Sequence, residues 1–147
     1  MEHIKPEEFL KQPKRVQEEL KKWCEDNLQK YDWVYLIREH DILPIDSVMD
    51  TRKDDINIGR VFYIGNCLCW SSIYDPNIIP LLIEGQLRKF IEDKTNSKIE
   101  SLYIVDRGYS IRLSRNDENG KNLIFKKLRE NLFKAYWEVA CKIVEEG

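Results

Sequence analysis

The apolar positions change period from one segment of the chain to the next, and those periods predict its elements. Pro6-Glu7-Glu8 suits the first turn of a short helix, with Pro at the opening position and acids against the positive end of the dipole. Pro13 interrupts that helix and opens a second one reaching about Lys30, along which Val16, Leu20, Trp23 and the neighbourhood of Leu28 recur at helical spacing. The run Asp32 to Glu39 (DWVYLIRE) is aromatic and β-branched and predicts a strand. From His40 to Asn57 the chain turns polar, with Pro44, Asp46, Asp50, Asp54 and Asp55. This predicts a long connection, either a plain surface excursion or a binding loop.

Arg60 to Ile64 (RVFYI), Gly65-Asn66 and Cys67 to Ser71 (CLCWS) have the form strand, two-residue turn, strand. That turn sets Ile64 opposite Cys67, Tyr63 opposite Leu68, Phe62 opposite Cys69 and Val61 opposite Trp70. Cys67 and Cys69 then share a face with Phe62 and Ile64 and read as small core hydrophobes. A metal reading needs further ligands, and Cys24, His40 and Cys141 show no recognisable spacing. A disulfide between i and i+2 is strained.

Asp75-Pro76 predicts a turn or a single helical turn. Pro80 inside a helix would cost about 3 kcal/mol, so the next helix is placed from about Leu81 to Lys94, burying Leu87, Phe90, Ile91 and one of Leu82/Ile83. Gly85 weakens it unless a neighbour packs closely there. The stretch ESLYIVDRGYSIRLS predicts a second hairpin around Asp106-Arg107-Gly108, its second strand alternating Tyr109, Ile111 and Leu113 with Ser110, Arg112 and Ser114, hence one wet face. The last helix is placed from about Lys121 to Glu146. Phe125, Leu128, Leu132, Tyr136, Val139 and Ile143 form one stripe, and Phe133, Trp137, Ala140 and Val144 a second beside it. Together they cover roughly 200° of an ideal helix. Either this helix lies between two packed layers, or Phe133, Trp137, Ala140 and Val144 meet another molecule.

These elements predict an α+β fold: a mostly antiparallel sheet of two hairpins plus one strand, with N-terminal, central and long C-terminal helices packed on it. The length of 147 residues fits a single domain over 1–147, with 1–12 as a loosely attached N-terminal arm. The net charge of −2 argues against binding nucleic acid by neutralising phosphates. The Lys11 to Lys22 stretch is interspersed with glutamates and reads as a solvated helix face. No apolar run is long enough for a membrane span, and the charged start is unlike a signal peptide. The expected location is cytoplasmic, with reduced cysteines.

Glycine-rich phosphate loops, paired histidines and nucleophile elbows are not found in the sequence, and no cofactor or metal is expected. His40 reads as a surface residue. Asp50, Asp54 and Asp55 lack calcium-loop spacing, with Arg52 and Lys53 between them. Two spots stand out as ligand-binding candidates. One is Trp70, Tyr74 and Asp75, where aromatics meet a carboxylate. The other is Arg107, Tyr109 and Arg112, where guanidinium groups suit an acidic partner or a phosphate.

The order of elements from CLCW through GQLRKFIE and LYIVDRGYSIRLS to LRENLFKAYWEVACKIVEE resembles small phage and prophage proteins with an α/β sandwich. Such proteins carry a Trp-Leu-Pro segment a few residues before a Gln-Leu helix opening, and a final helix rich in Ala, Leu and acids. Pro80, Gln86 and Leu87 are the matching positions. Trp70 stands ten residues before Pro80 and departs from the pattern. The resemblance covers about residues 60–146 and implies a setting rather than a reaction. The functional expectation is a non-enzymatic accessory protein that binds and blocks a host protein, the Phe133 stripe serving as contact or homodimer seam. The alternative is sequestration of a small anionic ligand such as a nucleotide, and a second alternative is a small hydrolase.

Overall fold

A computed structural model describes residues 2–53, 59–65, 70–104, 108–115, 123–126, 128–129 and 131–147. Two compact units emerge, one from Ile4 to Leu82 and one from Ile83 to Gly147 that also takes in the first residues of the chain. Both combine helices with antiparallel strands, so the fold class is α+β.

The first unit holds helices α1 (Pro6–Leu10) and α2 (Lys14–Asn27) and strands β1 (Trp33–Leu36), β2 (Asp41–Asp50), β3 (Arg60–Ile64), β4 (Trp70–Ser71) and β5 (Ile78–Pro80). The strands form one sheet in the order β4-β3-β2-β1-β5. Pro6 opens α1 and Pro13 stands as the N-cap of α2, as their fixed φ favours. Val16, Leu20, Trp23 and Cys24 are the buried stripe of α2. Ile4 and Phe9 are buried too, and the Ile4 N–H donates to the Leu82 carbonyl at 2.9 Å. From Ile4 onward the start of the chain is part of the fold, not a loose arm.

The connection expected over 40–57 is instead largely β2, a ten-residue strand at the centre of the sheet. Its register against β3 runs Ile45↔Ile64 and then Ser47↔Tyr63, a bulge that admits one extra residue. The bulge changes the phase of the alternation, so Ile45 and Val48 lie on one face although they stand three positions apart. That face also carries Val34, Leu36, Phe62 and Ile64, and all but Val48 of these six are buried. Helix α2 covers it: Arg60, on the same face, stacks over Phe62 and donates to the Glu25 carbonyl at 3.0 Å. After β2 a short 3-10 turn, Thr51–Lys53, is tied down by buried Thr51. Its N–H and Oγ1 both donate to the Gly59 carbonyl, at 2.9 and 2.6 Å.

The first hairpin forms, but with another register. Tyr63 pairs with Trp70 and Phe62 with Ser71, two residues away from what a two-residue Gly-Asn turn would impose. A shift of two preserves which side chains share a face. Residues 66–69 lie outside the described residues, and with them Cys67, Cys69 and the core reading of that pair. Pro80 likewise differs from expectation, since it closes strand β5 at the sheet edge. Asp75 Oδ1 accepts from the Asn77 N–H at 2.9 Å and turns the chain into this strand. Ile37 donates to Asn77 and Leu81 to Trp33. The alternation of an antiparallel ladder then makes Tyr35 and Ile79 the bonded pair and turns the Pro80 nitrogen outward, where no donor is required.

The second unit holds α3 (Glu84–Thr95), β6 (Ser97–Ile104), β7 (Gly108–Arg115), β8 (Leu123–Phe125) and α4 (Leu132–Glu146), with strand order β6-β7-β8. Helix α3 begins three residues after the expected Leu81. Its Gln86 side chain reaches back to accept the Ile83 N–H at 3.0 Å, and Asn96 ends it in the left-handed region at φ +48. Leu87, Phe90 and Ile91 are its buried face. The expected second hairpin is β6–β7, with Ile111 and Leu113 buried and Arg112 exposed on the wet face. Helix α4 starts at Leu132 rather than about Lys121, because Asn131 caps it by accepting the Lys134 N–H at 3.1 Å. Phe125, expected on that helix, pairs with Ile111 from β8.

Two glycines give opposite predictions. A Cβ on Gly85 would meet nothing within 4 Å, so no close neighbour requires glycine in the first turn of α3. Gly85→Ala should raise stability by about 0.5–1 kcal/mol. Gly108 sits at φ +75, and a Cβ there would run into the Leu128 carbonyl. Gly108→Ala should cost about 2 kcal/mol or more. Urea unfolding of both variants checks the pair; an unchanged midpoint for Gly108→Ala would contradict the packing described.

Candidate functional site

Register alone assigns the two faces of the first unit's sheet. Opposite the face under α2 lie Trp33 paired with Pro44, Tyr35 with Ile42, Ser47 with Tyr63, Met49 with Val61, and Trp70 beside Tyr63. Val61 and Ile79, the latter paired with Tyr35 at the β5 end, are buried, but Trp33, Ile42, Met49 and Trp70 are 41%, 43%, 39% and 43% exposed. The Tyr63 and Trp70 rings lie 5.6 Å apart and tilted, a cross-strand aromatic pair. Charged residues make up 34% of the sequence, yet this face carries none among its paired positions, the bulge residue Asp46 adding a carboxylate beside Gly65. Large apolar side chains with little charge, exposed together, are the composition of an interface core rather than of ordinary surface.

A groove of about 470 Å³ opens elsewhere in the same unit, between α1, α2 and the 74–79 segment. Phe9, Leu10, Pro76 and Ile79 give it an apolar floor, while Lys14, Gln17, Glu18 and Lys21 line it from α2, and Tyr74 stands at its side. Lys14 pairs with Glu18 at 3.9 Å. Lys21 Nζ donates to the Asp75 backbone carbonyl at 3.2 Å, and no carboxylate closes an ion pair with it among the described residues. Burial holds the Lys21 ammonium below the usual lysine range, a shift the more distant Asp75 carboxylate offsets only in part. Desolvation and a hydrogen bond to Glu25 push the Tyr74 phenol up to about 12, so it remains a donor at neutral pH.

The residues singled out from the sequence are dispersed. Trp70 belongs to the exposed sheet face, whereas Tyr74 lines the groove, and Asp75 contributes its carbonyl to Lys21 and its carboxylate to the local turn. Tyr109 and Arg112 lie on β7 three residues apart and so on opposite faces. The Tyr109 ring lies tilted against that of Tyr103, their centroids 4.8 Å apart, and Arg112 lies 4.0 Å from Glu100 across the hairpin. They do not form one anion site. Arg107 lies outside the described residues.

The expected interface stripe is also corrected. Phe133, Trp137, Ala140 and Val144 are all buried, as are Ala135, Tyr136 and Val139. Helix α4 packs on α3, and these four side chains are covered rather than open to solvent. His40 is occupied in the β1–β2 connection, its Nδ1 3.3 Å from the Tyr35 hydroxyl. Asp50 binds Arg52 through both carboxylate oxygens at 3.0 Å; Asp54 and Asp55 lie outside the described residues. Among the described residues no three metal-type ligands converge, and no helix is long and apolar enough to cross a membrane.

Trp33, Ile42, Met49 and Lys21 were not singled out by sequence reasoning. Trp33 had a signal, since it lies in the predicted strand, but the partner that completes its patch was read as loop. Lys21 looked like one more lysine of a solvated helix face.

The lowered Lys21 value has a stability consequence. Between that value and the ordinary 10.5, the unfolded chain holds more protons than the folded one, so this group's contribution to stability rises with pH. Urea unfolding of wild type and Lys21→Met from about pH 8 to about pH 10.5 should show the difference between them falling as pH rises, with Lys21→Met the more stable at the lower end. A difference independent of pH would contradict the described burial.

Compared with protein-family models, with curated proteins and with solved structures, the chain matches none.

Proposed function

We propose that this is a protein-binding protein acting through the exposed aromatic face of its five-stranded sheet. The observation that carries the reading is the joint exposure of Trp33, Ile42, Met49 and Trp70 on one face, with no charge among its paired positions. Tryptophans are among the residues that dominate binding energy when a partner covers them. Joined to the resemblance to small phage and prophage proteins, the reading is of a non-enzymatic accessory protein that binds a host protein in the cytoplasm and blocks it. The contact surface moves from helix α4, where the sequence placed it, to the sheet.

The test is a paired substitution on exposed positions, Trp33→Glu with Trp70→Glu, which should leave the melting temperature within a few degrees because neither ring is in the core. Tagged protein purified from bacterial cells and weighed by native mass spectrometry is expected to carry one host protein in fixed stoichiometry, and the double variant to come alone. Capture that survives the double substitution, or a bare monomer from both, would overturn the reading. A dimer lost in the double variant would replace the host protein by a second copy of the chain.

A further inference from the structure

We propose that the groove between α1, α2 and the 74–79 segment is a binding site for an amphipathic monoanion, a carboxylate with an aliphatic or aromatic body, held at Lys21. This inference concerns a groove that shares only Ile79 with the positions of the sheet face and does not rest on the reading above. Three observations converge on it. The volume of about 470 Å³ falls within the range of small-molecule sites. The floor is apolar, and Leu10 and Tyr74, at 50% and 48% exposed, stand open at its walls. An apolar body laid over Phe9, Leu10, Pro76 and Ile79 would remove that surface from water.

Charge selects the head group. The groove is lined by Lys14, Lys21 and Glu18, and Lys14 is matched by Glu18. Among the lining groups one positive charge is left, on Lys21, partly buried and held by the neutral Asp75 carbonyl at 3.2 Å, with the Asp75 carboxylate acting on it only from beyond ion-pair distance. An ammonium has three donors and a carbonyl uses one, so a carboxylate oxygen can be added without breaking the existing bond. The lining therefore matches one negative charge. A nucleotide, with two or more charges on its phosphates, would leave charge unpaired against Glu18. Lys14 and Lys21 stand seven residues apart on α2, about 10 Å along the helix. That span suits a tail of medium length running from Lys21 toward Leu10.

The test compares decanoate with decyltrimethylammonium, which share a tail and differ in the sign of the head, each below its micelle concentration. Titrations followed by amide NMR should show decanoate shifting the signals of Lys21 and Tyr74 and saturating, with the cation at least about tenfold weaker. Lys21→Met keeps the apolar stem and should weaken decanoate about five- to tenfold while leaving the cation unchanged, as the loss of one charge-assisted hydrogen bond implies. Thermal unfolding confirms that the variant is folded. Equal affinity for the two ligands, equal decanoate affinity in Lys21→Met, shifts that appear at Trp33 and Trp70 instead, or no saturable binding would each overturn the proposal.

Discussion

The first unit depends on the bulge in its central strand. β2 has neighbours on both sides, so whatever fixes its phase fixes both faces of the sheet. Without the extra residue between Ile45 and Ser47, a strand that buries Ile45 under α2 would bury Ser47 and Met49 there and turn Val48 outward. With it, Val48 stays on the face of Ile45, Phe62 and Ile64, and Met49 emerges on the other side, the face that carries the tryptophans. The aromatic face is thus a consequence of register, since the helix layer covers one face and the bulge decides which residues are left on the other.

The two units handle apolar surface in different ways. In the second, α4 is apolar around most of its circumference and nearly all of that surface is buried. In the first, a sheet with one covered face keeps two tryptophans, an isoleucine and a methionine in contact with solvent. Full burial of such a side chain is worth about 1.5–3 kcal/mol, and their partial exposure forgoes only part of that, yet stability alone does not account for their grouping. A partner that covers them would recover part of that free energy on binding. The groove follows the same logic on a smaller scale, where an apolar floor is open and one partly buried cation is held by a backbone carbonyl and a more distant carboxylate rather than by an ion pair.

Much of this fold was legible in the sequence. Proline positions marked both N-terminal helices, period-3.6 spacing marked the buried stripe of α2, and alternation marked the β6–β7 hairpin with its wet face. The misreadings have physical causes. β2 was hidden because its bulge breaks the period of two, and because Pro44 and three aspartates looked like turn chemistry. Pro80 was weighed only against a helix, where it is costly, and not against a sheet edge, where its missing N–H is harmless. The start of α4 was placed too early because Phe125 and Leu128 happen to extend its stripe, although Asn131 offered a cap. The candidate sites were less legible than the fold, since a site is an adjacency across elements. Trp33 and Trp70 share a face only through the register of the strands between them, and Lys21 and Tyr74 line one groove through packing, and neither relation leaves a spacing in the sequence.

The central claim is that apolar surface is open on the sheet and closed on α4, and the four tryptophans report on it directly. In the isolated protein labelled with 5-fluorotryptophan, a soluble gadolinium chelate broadens the fluorine resonances of exposed rings. The account predicts that Trp33 and Trp70, assigned by substitution with Phe, broaden strongly while Trp23 and Trp137 do not. Protected Trp33 and Trp70, or a broadened Trp137, would contradict it and return the contact surface to the last helix.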